Sequence, residues 1–346
     1  MVQSKLLAYL QRRFPEHQMV AIRDFRSVGE GWETRIHGFT WDYTSHDEAV
    51  SQKIIIRMFP GCLGTRRASH EFQVIRTLYE LGYPVPKVHL VETKADPVGM
   101  PFILMDLIEG STMDQLFRSG SPDQHSELIS LFGDLFLRLH RLAWQPFNFD
   151  EMEIDATDPF LYIRHTLSEI EDRINNYNLE VLRPIHTWLQ KRSTQASCEQ
   201  LSITHGDFHP NNILIDKAGA PYVIDWTAAH IADAREDLAW SLLLARTFRG
   251  PELREQILQA YETQLGHQVQ ELEYFEVIAI FRRLSDFLIV VDSDSVSTGL
   301  RSDIVTIMGQ HKRHYLNVCA VLQERTNITL PTVEKIINGL SDKPAE

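Results

Sequence analysis

The sequence predicts an α+β fold in two parts, a β-rich segment with one main helix followed by a mostly helical segment, and three observations carry that prediction. Residues 1–110 are dense in β-branched and aromatic side chains with partial period-two alternation, the mark of half-buried strands. Beyond Gly110 the apolar positions recur at helical spacing, interrupted by one small strand-like insertion. At 346 residues and 43% hydrophobic the chain can bury a large core, yet it is longer than single cores usually grow, so two lobes are expected.

The elements follow in order. Leu6, Leu7, Leu10 and Phe14 at helical spacing predict a short amphipathic helix over Ser4 to Phe14. MVAIRDFRSVG, ETRIHGFTWDY and KIIIRMF read as antiparallel strands, separated by the turn-forming GEG and the polar SHDEAVSQ. In RRASHEFQVIRTLYELG, the residues Phe72, Ile75, Leu78 and Tyr79 mark a helix that Gly82 stops. PVPKVHLVE and MPFILMDLIEG supply two more strands, completing a five-stranded antiparallel sheet that ends near Gly110. Ser121-Pro122 offers an N-cap and a proline at the first helical position, and Ile129, Leu131, Phe132, Leu135, Phe136 and Leu139 give the following helix a broad apolar face. Further helices are expected between Asp150 and Ser197, over ELREQILQAYETQL and across most of Glu271 to Leu322, with PYVIDW as a short strand.

Charge and composition exclude several classes. The net charge is −13, and residues 1–110 hold equal numbers of acidic and basic side chains, so the whole excess falls in 111–346. An acidic surface disfavours nucleic acid, which rewards neutralisation of phosphates by Lys and Arg, and attracts cationic small molecules. No apolar run approaches the roughly 20 residues that cross a bilayer, and the N-terminal MVQSKLLAYLQRRFP is too polar for a signal peptide, so no membrane partner and a cytoplasmic location are expected. Cys62, Cys198 and Cys319 lie far apart, which indicates neither a disulfide framework nor a zinc ribbon.

The densest chemistry lies in Leu201 to Asp216, LSITHGDFHPNNILID. Asp207 is followed five residues later by Asn212, and after thirteen more by Asp225, behind the apolar YVI. Two short strands flanking the loop would bring the three oxygen-bearing side chains to one end of a hairpin. Hard divalent cations such as Mg²⁺ take oxygen ligands, usually a few from protein with water and phosphate supplying the rest, and Asn212 and Asp225 suit that task. Asp207, held off the metal, can orient an attacking hydroxyl and accept its proton. An Asp, an Asn five residues on and a later Asp are the parts of a phosphoryl-transfer site.

The tracts HGDFHPNNILI and VIDW, followed by Asp237-Leu238-Ala239, resemble the aminoglycoside phosphotransferase family within the protein-kinase-like superfamily of small-molecule kinases. The resemblance covers most of the chain. It implies a bilobal protein-kinase-like fold: a β-rich nucleotide-binding N-lobe over 1–105, a hinge over 106–110, and a helical C-lobe over 111–346 with the catalytic loop near 201–240. It also implies ATP or GTP as co-substrate, Mg²⁺ as cofactor, and a small hydroxyl-bearing acceptor. In such proteins a basic residue on a central strand contacts nucleotide phosphates and is held by a Glu on the next helix; Arg57 and Glu71 occupy those places, with Arg standing where kinases carry Lys. Lys53 shares the strand face of Arg57 by period-two counting. Gly29 and Gly31 fall where the family folds a loop over the phosphates, since glycines let backbone N–H groups approach anionic oxygens. The Asp106 carbonyl and the Ile108 N–H match the positions that meet the adenine edge. His205 and Asp237 are expected to brace the catalytic loop, His209 to touch phosphate or fix the loop, and Phe208 and Trp226 to pack.

Rival readings remain at this point. His205-Gly-Asp207-Phe-His209 also spells His-x-Asp-x-His, which would start a metal-dependent hydrolase site from imidazole and carboxylate. A catalytically silent nucleotide-binding relative usually loses one of the Asp, Asn, Asp set, and this chain keeps all three. A protein kinase proper would show an Asp-Phe-Gly to Ala-Pro-Glu segment, and none follows Asp225. The acidic second half favours a cationic acceptor such as an aminoglycoside, with Asp286, Asp292 and Asp294 as candidates to face it; a small amino alcohol or sugar is the alternative.

Overall fold

The run Ile54-Ile55-Ile56-Arg57-Met58 decides the layering of the first part of the chain. A computed structural model describes residues 2–30, 34–147, 158–198, 200–292 and 304–340. Ile54, Ile56 and Met58 alternate onto one face of strand β3 (Glu48–Met58) and are buried there with Phe39 and Trp41 of β2 (Arg35–Ser45) and with Phe102 and Leu104 of β5 (Phe102–Asp106). The helix α1 (Val2–Arg13) closes this layer with Leu6, Tyr9 and Leu10. The opposite parity carries Arg57 toward α2 (Gly64–Glu80), which packs against β5 and β4 (Val88–Glu92). With β1 (Gln18–Glu30) at one edge, the five strands run in the order β1-β2-β3-β5-β4, the antiparallel sheet that the sequence predicts.

Three details differ from the sequence reading. Strand β3 starts at Glu48 and passes through the polar Ala49–Gln52 segment, because β2 and β3 stay in register from Arg35↔Met58 to Ser45↔Glu48. The connection is therefore the two residues His46 and Asp47, both at positive φ (49° and 64°), the backbone a two-residue hairpin requires. Tyr79 is 48% exposed; the buried stripe of α2 is Ala68, Glu71, Val74, Ile75 and Leu78. The predicted glycine stop holds, with Gly82 at φ 76° and the Tyr83 N–H donating to the Leu78 carbonyl.

The strand partners around the chemical tract differ as well. Strand β7 (Leu201–Thr204) pairs with β10 (His230–Asp233), while β8 (Ile213–Asp216) pairs with β9 (Pro221–Val223) in a three-stranded sheet completed by β6 (Gly110–Thr112). The two pieces flanking the loop thus belong to separate sheets. PYVIDW is strand only as far as Val223.

The chain divides into two units, one of Met1–Ser111 with Ile213–Thr227, the other of the remaining described residues. Residues 213–227 join the first unit through the Val223 N–H on the Pro84 carbonyl at 2.8 Å and the edge of Trp226 against Tyr83. The second unit is helical. Helix α4 (Pro122–His140) begins with the expected Ser121 cap, a reciprocal capping box with Gln124, and buries Phe132, Leu135, Phe136 and Leu139. It packs on α8 (Pro251–Leu265), and α7 (Ala234–Arg249) packs on both α8 and α9 (Leu272–Asp292). Among the described residues no helix is long and apolar enough to cross a membrane.

Phe136 stacks flat on Phe208, centroids 4.1 Å apart, which ties the pillar helix to the loop after β7. Phe136→Ala is expected to cost about 3–5 kcal/mol by leaving a cavity. Tyr79→Ala, at the exposed position, should stay within about 0.5 kcal/mol of wild type. Urea unfolding of the two variants checks this, and equal midpoints would contradict the core assigned to each.

Candidate active site

The loop after β7 is shaped by a reversal that only glycine accepts. Gly206 has φ 74°, and a Cβ there would lie 2.3 Å from the Ala228 carbonyl oxygen. The reversal points two successive amides inward, and one carboxylate receives both: Asp237 Oδ2 accepts from the His205 N–H at 2.7 Å and Oδ1 from the Gly206 N–H at 3.0 Å. Asp237 sits in the first turn of α7, 2% exposed, with His140 Nε2 3.3 Å away. The other ring nitrogen of His140 lies 2.9 Å from the Tyr261 hydroxyl. Burial pushes the Asp237 carboxyl up, but His140 and the loop's His205 outweigh it and hold the group below the usual carboxylate range. Asp237 thus holds both amides of the turn, and the His205 ring accepts the Asp207 N–H on Nδ1 at 3.2 Å.

The same loop presents Asp207. Its Oδ1 accepts from the Trp240 indole N–H at 2.9 Å, and its Oδ2 lies 3.4 Å from His209 Nε2. Trp240 is three residues after Asp237 on α7, so one helical face both anchors the loop and orients its carboxylate. Burial acts to raise the Asp207 pKa, but His209, the Trp240 N–H and the Arg282 charge prevail, and the carboxyl lies well below its ordinary value. Asp207 is therefore ionised at neutral pH, with 39% of its side chain exposed. Asn212 donates its Nδ2 to the Asp207 carbonyl at 2.9 Å, which leaves Oδ1 as the amide's remaining polar atom. Phe208 is wholly buried, as expected of a packing residue, and its carbonyl accepts from the Ser241 hydroxyl at 2.5 Å.

In the first unit, Arg57 Nε lies 3.1 Å from Glu71 Oε2, with both side chains buried. The pairing inferred from resemblance is present. A second contact was not foreseen: an Arg57 terminal nitrogen donates to Asp225 Oδ1 at 2.6 Å, and the Thr227 hydroxyl donates to the same oxygen at 3.1 Å. Asp225 itself stands at φ 68°, in the left-handed region, just past the end of β9. The next residue, Trp226, returns the chain to α2 by donating its N–H to Glu71 Oε1 at 3.3 Å. Burial pushes the Glu71 pKa up to about 7, against the pull of Arg57 and with the Asp225 charge adding to the rise.

The remaining candidates are placed as follows. Lys53 is exposed and paired with Glu109 at 2.7 Å. The Asp106 N–H bonds the Lys87 carbonyl and the Leu107 N–H the Lys53 carbonyl, whereas the Ile108 N–H bonds no described residue. Gly29 lies within β1 opposite Ile36, so the strand extends further than its glycine suggested; Gly31 falls outside the described residues. Asp286 is bonded to Arg173, Asp292 ends α9, and Asp294 is outside the described residues. Among the described residues no group of three or more His, Cys, Asp or Glu side chains is gathered to hold a metal, and the His205 ring, 0% exposed, is used inside the loop.

The residues that sequence reasoning missed are Trp240, His140, Tyr261 and Arg282. Trp240 carries a signal, one helical turn beyond Asp237. The others contact the site from 97 or more positions away or from another helix and carry none.

Removing the Asp237 acceptor leaves two buried amides without a partner, a penalty of about 1–3 kcal/mol. Asp237→Ala is expected to speed hydrogen exchange at the His205 and Gly206 amides by roughly 10- to 100-fold. Unchanged protection of those two amides would contradict the anchoring role.

A sequence profile described as the phosphotransferase enzyme family matches residues 44–272. An orangutan (Pongo abelii) protein named Acyl-CoA dehydrogenase family member 11 is 26% identical over 188 residues, 52% of this chain and 23% of that protein. The chain therefore spans about a quarter of that relative's length. Among solved structures, a suggested aminoglycoside phosphotransferase from Ralstonia eutropha has a TM-score of 0.63 at 15% identity, covering 98% of this chain and 99% of that one. A thermostable mutant of aminoglycoside phosphotransferase APH(4)-Ia, in ternary complex with AMP-PNP and hygromycin B, has a TM-score of 0.60 at 15% identity, covering 91% and 98%. The fold is thus the protein-kinase-like one of aminoglycoside phosphotransferases. With more than half of its length matched, the chain belongs to the phosphotransferase enzyme family.

Proposed function

We propose that the protein transfers the terminal phosphoryl group of ATP or GTP to a hydroxyl of a small molecule, with Mg²⁺ as cofactor. The observation that carries this reading is Asp207 on a loop anchored by Asp237, its carboxylate held by the Trp240 N–H, five residues ahead of an Asn whose amide oxygen bonds no described residue. Asp225 adds a second oxygen donor, with one carboxylate oxygen held by Arg57 and Thr227. Asparagine and carboxylate oxygens are the donors Mg²⁺ prefers, so Asn212 and Asp225 fit it. The ion would neutralise charge on the nucleotide phosphates.

The rest falls to the chain's own groups. Arg57, fixed by Glu71, adds positive charge for the phosphates, and the Ile108 N–H and Asp106 carbonyl meet the base. Asp207 accepts a hydrogen bond from the acceptor hydroxyl and aims its oxygen at the γ-phosphorus. As the new oxygen–phosphorus bond forms, the bond from the γ-phosphorus to the bridging oxygen breaks, and the nucleoside diphosphate leaves with its electrons. The hydroxyl proton passes to Asp207. Because positioning and electrostatics dominate this chemistry, the anchoring of the loop matters as much as the carboxylate itself.

For the acceptor, the acidic balance of 111–346 and the hygromycin B bound by the APH(4)-Ia mutant support a cationic aminoglycoside. A small metabolite is favoured by a specific local feature, the Arg282 guanidinium stacked on Trp240, whose N–H holds Asp207.

Asp207→Ala is expected to lower kcat by roughly 10²- to 10⁴-fold while nucleotide affinity changes little. Diphosphate release and calorimetric titration with Mg·ATP read the two quantities, and full activity in the variant would remove Asp207 from its role. Asp225→Ala should instead weaken Mg·ATP binding by roughly tenfold or more. An unchanged dissociation constant would overturn that assignment.

A further inference from the structure

Next to Asp207 the second unit holds a guanidinium that donates to no described residue. Arg282, on α9, places its Cζ 4.0 Å from the centre of the Trp240 ring. The N–H of that same indole donates to Asp207 Oδ1 at 2.9 Å. One flat side chain therefore meets the catalytic carboxylate at its edge and the cation on its face, an arrangement in which the ring quadrupole fixes the guanidinium. Arg carries five N–H donors in a rigid fork, and none of them donates to a described residue.

Its neighbours are committed. Glu236 takes the Tyr162 hydroxyl and lies 3.5 Å from His230 Nε2, Asp286 takes Arg173, and Arg235 is bonded to both Asp233 and Glu271. Burial is the largest influence on Asp207, Glu236 and His230, and the Arg282 charge contributes at all three. The cation is thus seated on the ring whose N–H holds Asp207. A planar fork matches an oxyanion bidentately, whereas an ammonium group entering the same space would meet like charge.

We propose that Arg282 is a specificity-determining residue that binds an oxyanion, carboxylate or phosphate, carried by the molecule whose hydroxyl lies against Asp207. The inference rests on the reading of Asp207 as the group that orients the acceptor. The acceptor class is then a hydroxy acid or a phosphorylated alcohol. The net acidity of residues 111–346, which points to a cation, is screened in solvent beyond a Debye length of about 8 Å, so the charges in contact with the site weigh most.

The test pairs each acceptor with its uncharged counterpart: hydroxycarboxylates with their amides, phosphorylated alcohols with the free alcohols, and aminoglycosides as the cationic set. Diphosphate release is measured for wild type, Arg282→Gln and Arg282→Lys. At least one anionic member should exceed its neutral partner tenfold or more in kcat/KM, chiefly through KM, and which pair does so separates carboxylate from phosphate. Arg282→Gln should abolish that preference, and Arg282→Lys should restore it only in part, which also serves if the Gln variant fails to fold. Use of cationic or neutral acceptors alone, or a preference that survives Arg282→Gln, overturns the proposal and leaves the kinase reading standing. If no hydroxyl compound is phosphorylated, the kinase reading fails, and calorimetric titration of the same anions decides the remainder: binding that needs Arg282 supports the anion site, and absence of binding removes it.

Discussion

A single buried carboxylate bears the constraint on which the loop after β7 depends. Asp237 takes two successive backbone N–H groups, and it does so because Gly206 turns the chain in the one direction that aims both amides at it. Buried amides without acceptors are costly, so the loop is as stable as this carboxylate's placement. The placement is secured from behind by His140 and Tyr261, which come from α4 and α8, the helices that build the core of the second unit. Packing, hydrogen bonding and the direction of the Asp207 side chain are in this way one problem with one solution.

The first unit uses the same logic with the charges reversed. Arg57 is a buried cation, tolerable only because Glu71 and Asp225 lie against it. Glu71 also takes the Trp226 N–H, so α2 holds the strand residue and the post-β9 turn together. Asp225 adopts a backbone conformation uncommon outside glycine, within a segment fixed on one side by Trp226 and on the other by the β8–β9 hairpin. A central strand, one helix and one turn thereby share a single polar cluster.

Much of this was legible in the sequence, for identifiable reasons. Period-two alternation in KIIIRM places Arg57 opposite Ile56 and Met58, and the helical spacing of α2 leaves Glu71 among its apolar residues; both are local signals. The spacing of Asp207, Asn212 and Asp225 was legible as a set of oxygen-bearing side chains, whereas the left-handed turn at Gly206 was not. The partner of β7 was not legible. His230-Ile231-Ala232-Asp233 is too short to show alternation, and strand partners are set by the packing of the whole unit. The second contact of Arg57 was equally hidden, since its partner lies 168 positions away and nothing local in VIDW calls for a guanidinium. Tyr79 was misplaced because an aromatic residue one position beyond the stripe passes as part of an apolar helix face. The stacking of Arg282 on Trp240 was hidden too, since it joins two helices and no local pattern marks it.

The account stands or falls on where the terminal phosphoryl group goes. The most direct measurement incubates the protein with Mg²⁺ and ATP labelled with heavy oxygen in the γ-phosphoryl group, across a hydroxyl-compound library, and follows the label by mass spectrometry. The account predicts one acceptor that gains a single phosphoryl group carrying the label, at a hydroxyl oxygen, in step with ADP formation. Label found only in free phosphate, at a rate indifferent to every hydroxyl compound, would contradict it.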